Sequence, residues 1–306
     1  MDREVMGIEI GGTKLQVVVG SPDGKVVDRH RANVDVNAGG AGIRAQIERC
    51  LPELMRGRDV AAVGIGFGGP VDYQTGRIAR SHQIEGWSEF PLGEWMRSLC
   101  GKPVAVDNDA NVATLAEAIV GAGRNANPVF YVTLGSGVGG GLVVNGSVYH
   151  GRKPGESEIG HLRLNREGVI VEQRCSGWAV DRWIRQLVAE NPESLLARKV
   201  GATRSGEARY LAAAIQEGDA LAFSILEQTC EDLAFALSHV AHLVHPQRIV
   251  LGGGLSLVGE PFRAGVAQAL PRFLMDVFHP GPEIVLAGLS EDAVPVGALL
   301  MAGRLS

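Results

Sequence analysis

Two strand-turn-strand units with glycine at the bend constrain most strongly how this chain folds. Residues 5–20 (VMGIEIGGTKLQVVVG) and 129–145 (VFYVTLGSGVGGGLVVN) each contain an apolar run, a Gly-rich turn and a second apolar run. This layout predicts a β-hairpin at each place. The chain therefore carries a weak internal repeat, with one hairpin at the start of each half.

The remaining pattern alternates strands with helices and predicts two α/β domains. A length of 306 residues suits two domains at ~100–200 residues each. The polar stretch 125–128 (NANP) contains a helix-breaking proline and marks the predicted boundary. We therefore predict an N-terminal domain over 1–124 and a larger one over 125–289. An apolar helix at about 290–306 is expected to pack back on the first domain.

Apolar periodicity gives the predicted elements between these landmarks. Strands are predicted around 26–34, 59–67, 103–106, 248–251 and 283–286. Helices are predicted around 42–56, from Ala110 onward, and over 178–190, 208–216, 220–244 and 293–303.

Charge and cysteine usage exclude several classes of function. Lysine and arginine number 29 against 34 acidic residues, a net charge of −5, and no basic stripe is visible, so nucleic acid is not an expected partner. The four cysteines form no CxxC pair, which favours free thiols in a reducing compartment. Neither a signal peptide nor an unbroken apolar span occurs. We expect a cytoplasmic protein with no membrane partner.

Two G-x-G-x-x-G patterns resemble a dinucleotide fingerprint but lack its context. They lie at Gly64/Gly66/Gly69 and at Gly135/Gly137/Gly140. The fingerprint needs a helix to start at the turn, whereas Pro70 follows the first pattern and a predicted strand follows the second. A Rossmann dehydrogenase is therefore disfavoured, and no P-loop motif is present.

Both hairpin turns have the chemistry of a phosphate cradle. Successive backbone N–H groups in Gly-rich turns point at an anion, and hydroxyls and Lys14 add donors. The turns are Gly11-Gly12-Thr13-Lys14 and Thr133-Leu134-Gly135-Ser136-Gly137. If the turns face each other across a cleft, they would hold a nucleoside triphosphate. Tight hairpin turns without any ligand would also explain each unit alone.

Three further groups of residues could carry chemistry. Asp109, where a buried strand meets a helix, could accept a proton from a hydroxyl that attacks phosphorus, or an Asp or Asn here could simply cap the helix. Glu158, His161 and Glu172 could bind the hydroxyls of a polyol, or they could belong to a solvated loop. A third group recurs every three residues on the long helix, a spacing that drifts around a 3.6-residue turn and favours packing or surface positions over metal binding: His239, His242 and His245.

Taken in order, these motifs resemble the ROK family of sugar kinases and sugar-responsive repressors over roughly residues 7–300. The segments that carry the resemblance are 8–14 (IEIGGTK), 68–72 (GGPVD), 108–111 (NDAN), 133–139 (TLGSGVG), 158–161 (EIGH) and 251–254 (LGGG). The resemblance implies an actin-like, hexokinase-like (ribonuclease H-like) fold of two α/β domains with an interdomain cleft. It also implies transfer of the ATP γ-phosphoryl group to a hexose by direct in-line attack.

The resemblance also implies roles for individual residues. Asp109 would be the catalytic base. Sugar contacts would come from Gly69, Asn108, Asp109, Glu158, His161 and Glu172. The phosphates, with Mg²⁺, would contact Gly11, Gly12, Thr13, Lys14, Thr133, Gly135, Ser136 and Gly137. The turn at Gly253 and Gly254 would border the adenosine, and Glu9 would reach Mg²⁺ through water or phosphate.

One departure from the family pattern concerns zinc. Many members carry a cysteine-rich zinc site between the histidine of E-x-G-H and the later glutamate. Here the segment between His161 and Glu172 contains no cysteine. We therefore expect no structural zinc, and we expect Cys175 to be an ordinary helix residue.

The resulting expectation is an ATP- and Mg²⁺-dependent, glucokinase-like hexose kinase that phosphorylates the 6-hydroxyl of glucose and forms a homodimer. Another hexose or an N-acetylhexosamine such as N-acetylmannosamine is the alternative acceptor, and polyphosphate is an alternative donor. A repressor would need a DNA-binding domain before the first hairpin, and only six residues precede Gly7. A non-catalytic sugar sensor would be expected to lack the base, which is present as Asp109.

Overall fold

Strands dominate the first half of the chain and helices the second half in the computed structural model, which describes residues 3–79, 84–153 and 157–306. The strands are β1 (Glu4–Ile10), β2 (Lys14–Gly20), β3 (Val26–Asn33), β4 (Val60–Phe67), β5 (Val71–Asp72), β6 (Arg77–Ile78), β7 (Val104–Asn108), β8 (Val129–Leu134), β9 (Val138–Val144), β10 (Ser147–Val148), β11 (Arg248–Gly252) and β12 (Glu283–Leu286).

Most of the helices lie in the second half of the chain. The helices are α1 (Gly39–Met55), α2 (Leu92–Cys100), α3 (Asp109–Ile119), α4 (Val171–Cys175), α5 (Gly177–Glu190), α6 (Leu195–Val200), α7 (Leu211–Gln216), α8 (Ala220–Val244), α9 (Glu260–Ala269) and α10 (Ala293–Gly303). Short 3₁₀ turns lie at Val36–Ala38, Ile159–His161, Glu207–Tyr210, Gly254–Val258, Leu270–Phe273, Asp276–Phe278 and Ser290–Asp292.

The secondary structure predicted from apolar periodicity is confirmed. The first hairpin is the antiparallel pair β1 and β2, and the second Gly-rich unit forms the adjacent strands β8 and β9. The predicted helix over 208–216 begins as a 3₁₀ turn and becomes α7 at Leu211. Helices α2, α6 and α9 were not anticipated from the sequence.

The first sheet brings three strand ends to one edge. Its order is β3-β2-β1-β4-β7, and β1, β4 and β7 run parallel. The register pairs Ile10 with Phe67 and Phe67 with Asn108, the last residues of these three strands. Because ligands of open α/β sheets bind outside the carboxyl ends of parallel strands, the segments that follow these residues are positioned for binding.

Helix α10 covers this sheet, and glycines make its close approach possible. An ideal Cβ on Gly64 would collide with the carbonyl of Ala298, and one on Gly66 would lie 2.5 Å from a methyl of Val294. Most of α10 is buried, as expected for a helix that is apolar on all sides. Gly64 and Gly66 of the first G-x-G-x-x-G pattern therefore serve helix-sheet packing.

The second sheet has the order β10-β9-β8-β11-β12, with β8, β11 and β12 parallel. Its register pairs Thr133, near the end of β8, with Gly252 at the end of β11. The Gly-rich turn after β8 and the glycine turn after β11 thus leave the same edge.

The described residues form two compact units. One comprises 1–124, 141–156 and 291–306, and the other comprises 125–140 and 157–290. The first unit therefore includes the end of β9 and β10 as well as α10. In the described parts of the chain, no helix combines the length and apolar character needed to span a membrane.

Candidate active site

The turn after β1 is a compact backbone loop at the carboxyl edge of the first sheet. The N–H of Gly11 donates to the carbonyl of Lys14 at 3.0 Å, and the N–H of Gly68 donates to the carbonyl of Ile10 at 2.9 Å. Thr13 is exposed and Gly12 is half-buried. The turn is therefore shaped by its own backbone and its tip is open to solutes, as a phosphate cradle requires.

Glu9 is a buried carboxylate whose two oxygens are both engaged. Oε1 lies 3.2 Å from Nζ of Lys14, and Oε2 accepts a hydrogen bond from Nε2 of Gln16 at 2.6 Å. Burial raises the pKa of the Glu9 carboxyl, while the Lys14 ammonium and the Gln16 amide oppose that rise. These contacts suit Glu9 to holding Lys14 beside the turn better than to binding Mg²⁺, whose predicted contact with Glu9 stays a prediction.

Asn108, and not Asp109, is the N-cap of α3. Its Oδ1 accepts from the N–H groups of Ala110 at 2.8 Å and Asn111 at 3.3 Å. Its Nδ2 donates to the carbonyl of Gly69 at 3.1 Å. The cap therefore also ties α3 to the Gly68-Gly69 segment that follows β4.

Asp109 is half-buried in the first turn of α3 and faces the loops at the sheet edge. Its Oδ1 accepts from the N–H of Ala110 at 2.8 Å. An ideal Cβ on Gly68 would lie 3.4 Å from its Oδ2 and 3.7 Å from Cα of Gly11. The candidate base and the candidate phosphate turn of the first unit are thus neighbours across Gly68.

Asp107 and His150 form a contact that reasoning from the sequence missed. His150 Nε2 lies 2.6 Å from Oδ2 of Asp107. An aspartate at a buried position of an apolar strand was a visible signal for Asp107. Nothing in the sequence pattern pointed to His150, which lies 43 residues away.

The second unit assembles the other glycine turns. Gly253 has a φ of +78°, and an ideal Cβ there would collide with the backbone of Leu134, whereas a Cβ on Gly254 would meet nothing within 4 Å. The turn at 133–137 closes through a hydrogen bond from the N–H of Gly135 to the carbonyl of Gly137 at 3.0 Å. The predicted phosphate turn and the predicted adenosine turn therefore lie side by side.

The candidate sugar-binding residues flank the start of β9. Glu172 Oε2 accepts from the N–H of Val138 at 3.0 Å, and Gly160 packs against the carbonyl of Val138. Glu158 and His161 border the 3₁₀ turn at Ile159–His161, with Nδ1 of His161 3.5 Å from Oε2 of Glu158. Both side chains are exposed. Glu158 and His161 are therefore accessible to a polyhydroxyl ligand, whereas Glu172 is half-buried.

Comparison with known proteins decides the family. A model described as the ROK family matches residues 5–304. The chain belongs to the ROK family. A glucokinase from Halalkalibacterium halodurans is 32% identical over 310 residues, covering 97% of this chain and 94% of that protein. A kanosamine kinase from Amycolatopsis mediterranei is 30% identical over 321 residues, covering 98% of each.

A solved structure bears out the fold class. The crystal structure of a ROK family glucokinase from Streptomyces griseus in complex with glucose and AMPPNP has a TM-score of 0.85 and 29% identity, covering 98% of this chain and 99% of that chain. The α/β class and the actin-like, hexokinase-like fold predicted from the sequence are therefore confirmed.

In this ROK protein, a small hairpin occupies the segment where many members carry cysteine ligands. The N–H of Leu164 donates to the carbonyl of Val169 at 2.8 Å, and the N–H of Val171 donates to the carbonyl of Leu162 at 3.0 Å. Oδ1 of Asn165 accepts from the N–H of Val169 at 3.0 Å. Hydrogen bonds therefore shape the loop between His161 and Glu172.

The remaining cysteine and histidine predictions concern packing. Cys175 is the buried last residue of α4, as predicted, and burial raises the pKa of its thiol well above the usual range. His242 and His245 stack on Phe278, and His239 packs on Phe235. His239 is half-buried, and His242 and His245 are exposed, so the three side chains occupy the packing or surface positions expected for them. Within the described residues, no group of three or more His, Cys, Asp or Glu side chains is arranged to hold a metal ion.

Proposed function

We propose that this chain is an ATP-dependent sugar kinase that transfers the γ-phosphoryl group to a hexose, with the 6-hydroxyl of glucose as the first candidate acceptor. The observation that carries the proposal is the position of Asp109. Its half-buried carboxylate lies at the carboxyl edge of three parallel strands, beside Gly68 and the Gly11 turn. The relative solved with glucose and AMPPNP supports the same reaction.

Asp109 acts as the general base in this mechanism. Its carboxylate accepts the proton of the acceptor hydroxyl as that oxygen attacks the γ-phosphorus of MgATP. The new bond joins the sugar oxygen to phosphorus, and the bond from the γ-phosphorus to the bridging oxygen breaks, which releases ADP. Because most of the catalysis in such a transfer comes from positioning and charge, the groups around Asp109 matter as much as the base.

Asn108 orients the base and retains one N–H that can donate a hydrogen bond to the sugar. Its Oδ1 is used by the helix cap, and one hydrogen of its Nδ2 is used by Gly69. An asparagine amide carries two hydrogens on nitrogen, so the second is assigned to a sugar hydroxyl. Gly69 lines the same position.

The donor MgATP is a substrate in this scheme, and its phosphates contact the Gly-rich turns. Mg²⁺ neutralises charge on the transferring group. The adenosine lies at Gly253 and Gly254, and Lys14 is held toward its turn by Glu9. The phosphate-binding residues are those named from the sequence: Gly11, Gly12, Thr13, Lys14, Thr133, Gly135, Ser136 and Gly137.

Sugar hydroxyls are assigned to Glu158, His161 and Glu172. Carboxylates accept hydrogen bonds from hydroxyl groups and an imidazole donates or accepts, so the set suits a polyol. Relatives named glucokinase and kanosamine kinase are about equally identical to this chain, at 32% and 30%. A second hexose or an amino sugar therefore remains the alternative acceptor.

A coupled phosphorylation screen tests the proposal. A panel of hexoses, amino sugars and N-acetylhexosamines is crossed with ATP and polyphosphate, and the phosphorylated carbon is identified by NMR. We expect ATP-dependent phosphorylation of at least one hexose at a primary hydroxyl. A chain that releases no phosphosugar from any pair of substrates contradicts the proposal. The homodimer stays a prediction. The cytoplasmic location also stays a prediction, and the four free cysteines are compatible with it.

A further inference from the structure

We propose that His150 is a positioning residue for the catalytic base and acts through Asp107. This inference rests on the proposed function of Asp109 and adds to it a side chain that does not itself reach the reacting atoms. The contacts concerned form one hydrogen-bonded series of side chains within the first unit.

The first link is the short contact between His150 and Asp107. Nε2 of His150 lies 2.6 Å from Oδ2 of Asp107, and the two side chains are only 16% and 7% exposed. Donation from an imidazole to a carboxylate is a charge-assisted hydrogen bond, which is shorter and stronger than a neutral one. A buried carboxylate without hydrogen-bond partners is also energetically costly. His150 therefore fixes the orientation of Asp107.

The second link is the restraint on the His150 ring. Tyr73 stacks on it with ring centroids 3.7 Å apart and planes 10° apart. Three residues on, Lys153 forms an ion pair with Asp72 at 2.7 Å. The stack on Tyr73 acts on the imidazole ring itself, whereas the Lys153 pair acts only on the chain three residues away. A ring held flat against Tyr73 presents Nε2 to Asp107 in one orientation.

The third link runs from Asp107 to both sides of the base. Its Oδ1 accepts from the N–H of Asn108 at 2.7 Å and from Nδ2 of Asn111 at 3.0 Å. Asn111 is fully buried in the first turn of α3. One carboxylate oxygen therefore binds the residue before Asp109 and a residue two positions after it. Asn108 is in turn hydrogen-bonded to the carbonyl of Gly69 and to the N–H of Ala110, so its position also fixes the loop after β4 and the start of α3.

The two carboxylate oxygens of Asp107 have different partners, and for this reason the loss of His150 affects the position of Asp109. One oxygen holds the backbone around Asp109, and the other is held by His150, so the loss of the imidazole frees the carboxylate to rotate. Misplacement of a base by as little as ~1 Å costs on the order of 10²-fold in rate, and removal of outer hydrogen-bond partners of a site typically costs ~10–100-fold.

Two variants and a matched control test the inference. His150→Phe keeps a ring for the Tyr73 stack and loses the hydrogen bond, whereas His150→Gln keeps a donor. Lys153→Ala is the control, because it removes the neighbouring ion pair with Asp72 and retains the imidazole that contacts Asp107. If His150→Phe does not fold, His150→Asn, which is too short to keep the contact, takes its place.

The first readout is hydrogen exchange of peptides covering 107–112 in the protein alone, which requires neither sugar nor nucleotide. We expect exchange to quicken by roughly tenfold in His150→Phe, to return toward wild type in His150→Gln and to stay unchanged in Lys153→Ala. Unchanged exchange in His150→Phe, or an equal change in Lys153→Ala, overturns the inference.

The second readout is steady-state kinetics on the sugar identified by the screen. We expect kcat to fall ~10–100-fold in His150→Phe, with the KM for MgATP within about twofold of wild type and most of the loss recovered in His150→Gln. A rise in the KM for MgATP with unchanged kcat contradicts a role at the base. If wild type phosphorylates no sugar, the proposed function fails, and the exchange experiment still decides whether His150 orders the start of α3.

Discussion

Asn108 donates from its carboxamide to the carbonyl of Gly69 at 3.1 Å while its oxygen caps helix α3. This one side chain joins the loop after β4 to the helix after β7. It also satisfies the N–H groups that a capping aspartate would otherwise serve. Asp109 is therefore not needed as the cap, which strengthens its assignment as the proton acceptor.

Asp109→Asn tests that assignment. The substitution retains an oxygen for the Ala110 N–H and removes the basic carboxylate, so we expect kcat to fall by ~10²–10⁴-fold. The affinity for sugar, measured by calorimetry, should change far less. Asp35→Asn is the matched control, because Asp35 caps the 3₁₀ turn at Val36–Ala38 by accepting from the N–H of Asn37. A kcat within threefold of wild type at saturating substrates would reject Asp109 as the base.

Glu9→Gln tests how the buried carboxylate affects stability. Because burial raises the pKa of Glu9 above its usual 4.5, its contribution to stability is present below the usual pKa and is lost as the pH rises through the folded-state value. We expect the stability of wild type relative to Glu9→Gln to fall as the pH rises from 4.5 through the folded-state pKa of Glu9, measured by urea unfolding. Glu4→Gln, on the same strand and paired with Arg58 at 2.8 Å, is the control. A pH-independent difference for Glu9→Gln would contradict the assignment.

The same variant separates two roles for Glu9 in function. If Glu9 holds Lys14 beside the phosphate turn, Glu9→Gln raises the KM for MgATP and leaves the concentration of free Mg²⁺ needed for half-maximal rate unchanged. A shift in the Mg²⁺ requirement at fixed MgATP would instead identify Glu9 as a contributor to metal binding.

Gly253 and Gly254 offer a matched pair for the adenosine turn. Gly253 has a φ of +78° and no space for a Cβ, whereas Gly254 has open space around it. We expect Gly253→Ala to lose roughly 1–3 kcal/mol of unfolding free energy, and Gly254→Ala to stay within about 0.5 kcal/mol of wild type. If the turn borders adenosine, Gly254→Ala raises the KM for MgATP despite its unchanged stability. Equal stability of the two variants in chemical denaturation would contradict the packing of Gly253 on Leu134.

Local pattern was sufficient to predict the longer strands and the motifs at their ends, but not the two-residue strands β5, β6 and β10. The Gly11 turn, the Gly68-Gly69 segment and Asp109 follow β1, β4 and β7. They lie together because these three strands are parallel neighbours and end at the same edge of the sheet. The pairing of Glu9 with Gln16 was also implicit in the first hairpin, where the two residues lie directly opposite.

Contacts between distant segments could not be predicted in this way. The approach of Ala298 to Gly64 and the contact of His150 with Asp107 join segments without any shared periodicity. No spacing rule specifies such pairs, since they arise only when α10 and residues 141–156 pack on the first unit. The sequence disfavours a dinucleotide site at the first G-x-G-x-x-G pattern, but the packing of Gly64 and Gly66 against α10 appears only in the structure.

The last prediction concerns zinc. A structural zinc site needs four ligands, usually closely spaced cysteines and histidines, and the segment between His161 and Glu172 contains no cysteine. In its place, backbone hydrogen bonds between Leu164 and Val169 and the Asn165 side chain shape a hairpin.

We expect protein purified without a metal-affinity tag to contain no stoichiometric zinc by elemental analysis, and its melting temperature to be unaffected by prolonged chelation. Because metal binding and folding are coupled at such sites, bound zinc together with unfolding on chelation would show that ligands come from elsewhere in the chain. Asn165→Ala then distinguishes the two cases, since it lowers the melting temperature only if the loop depends on its own hydrogen bonds.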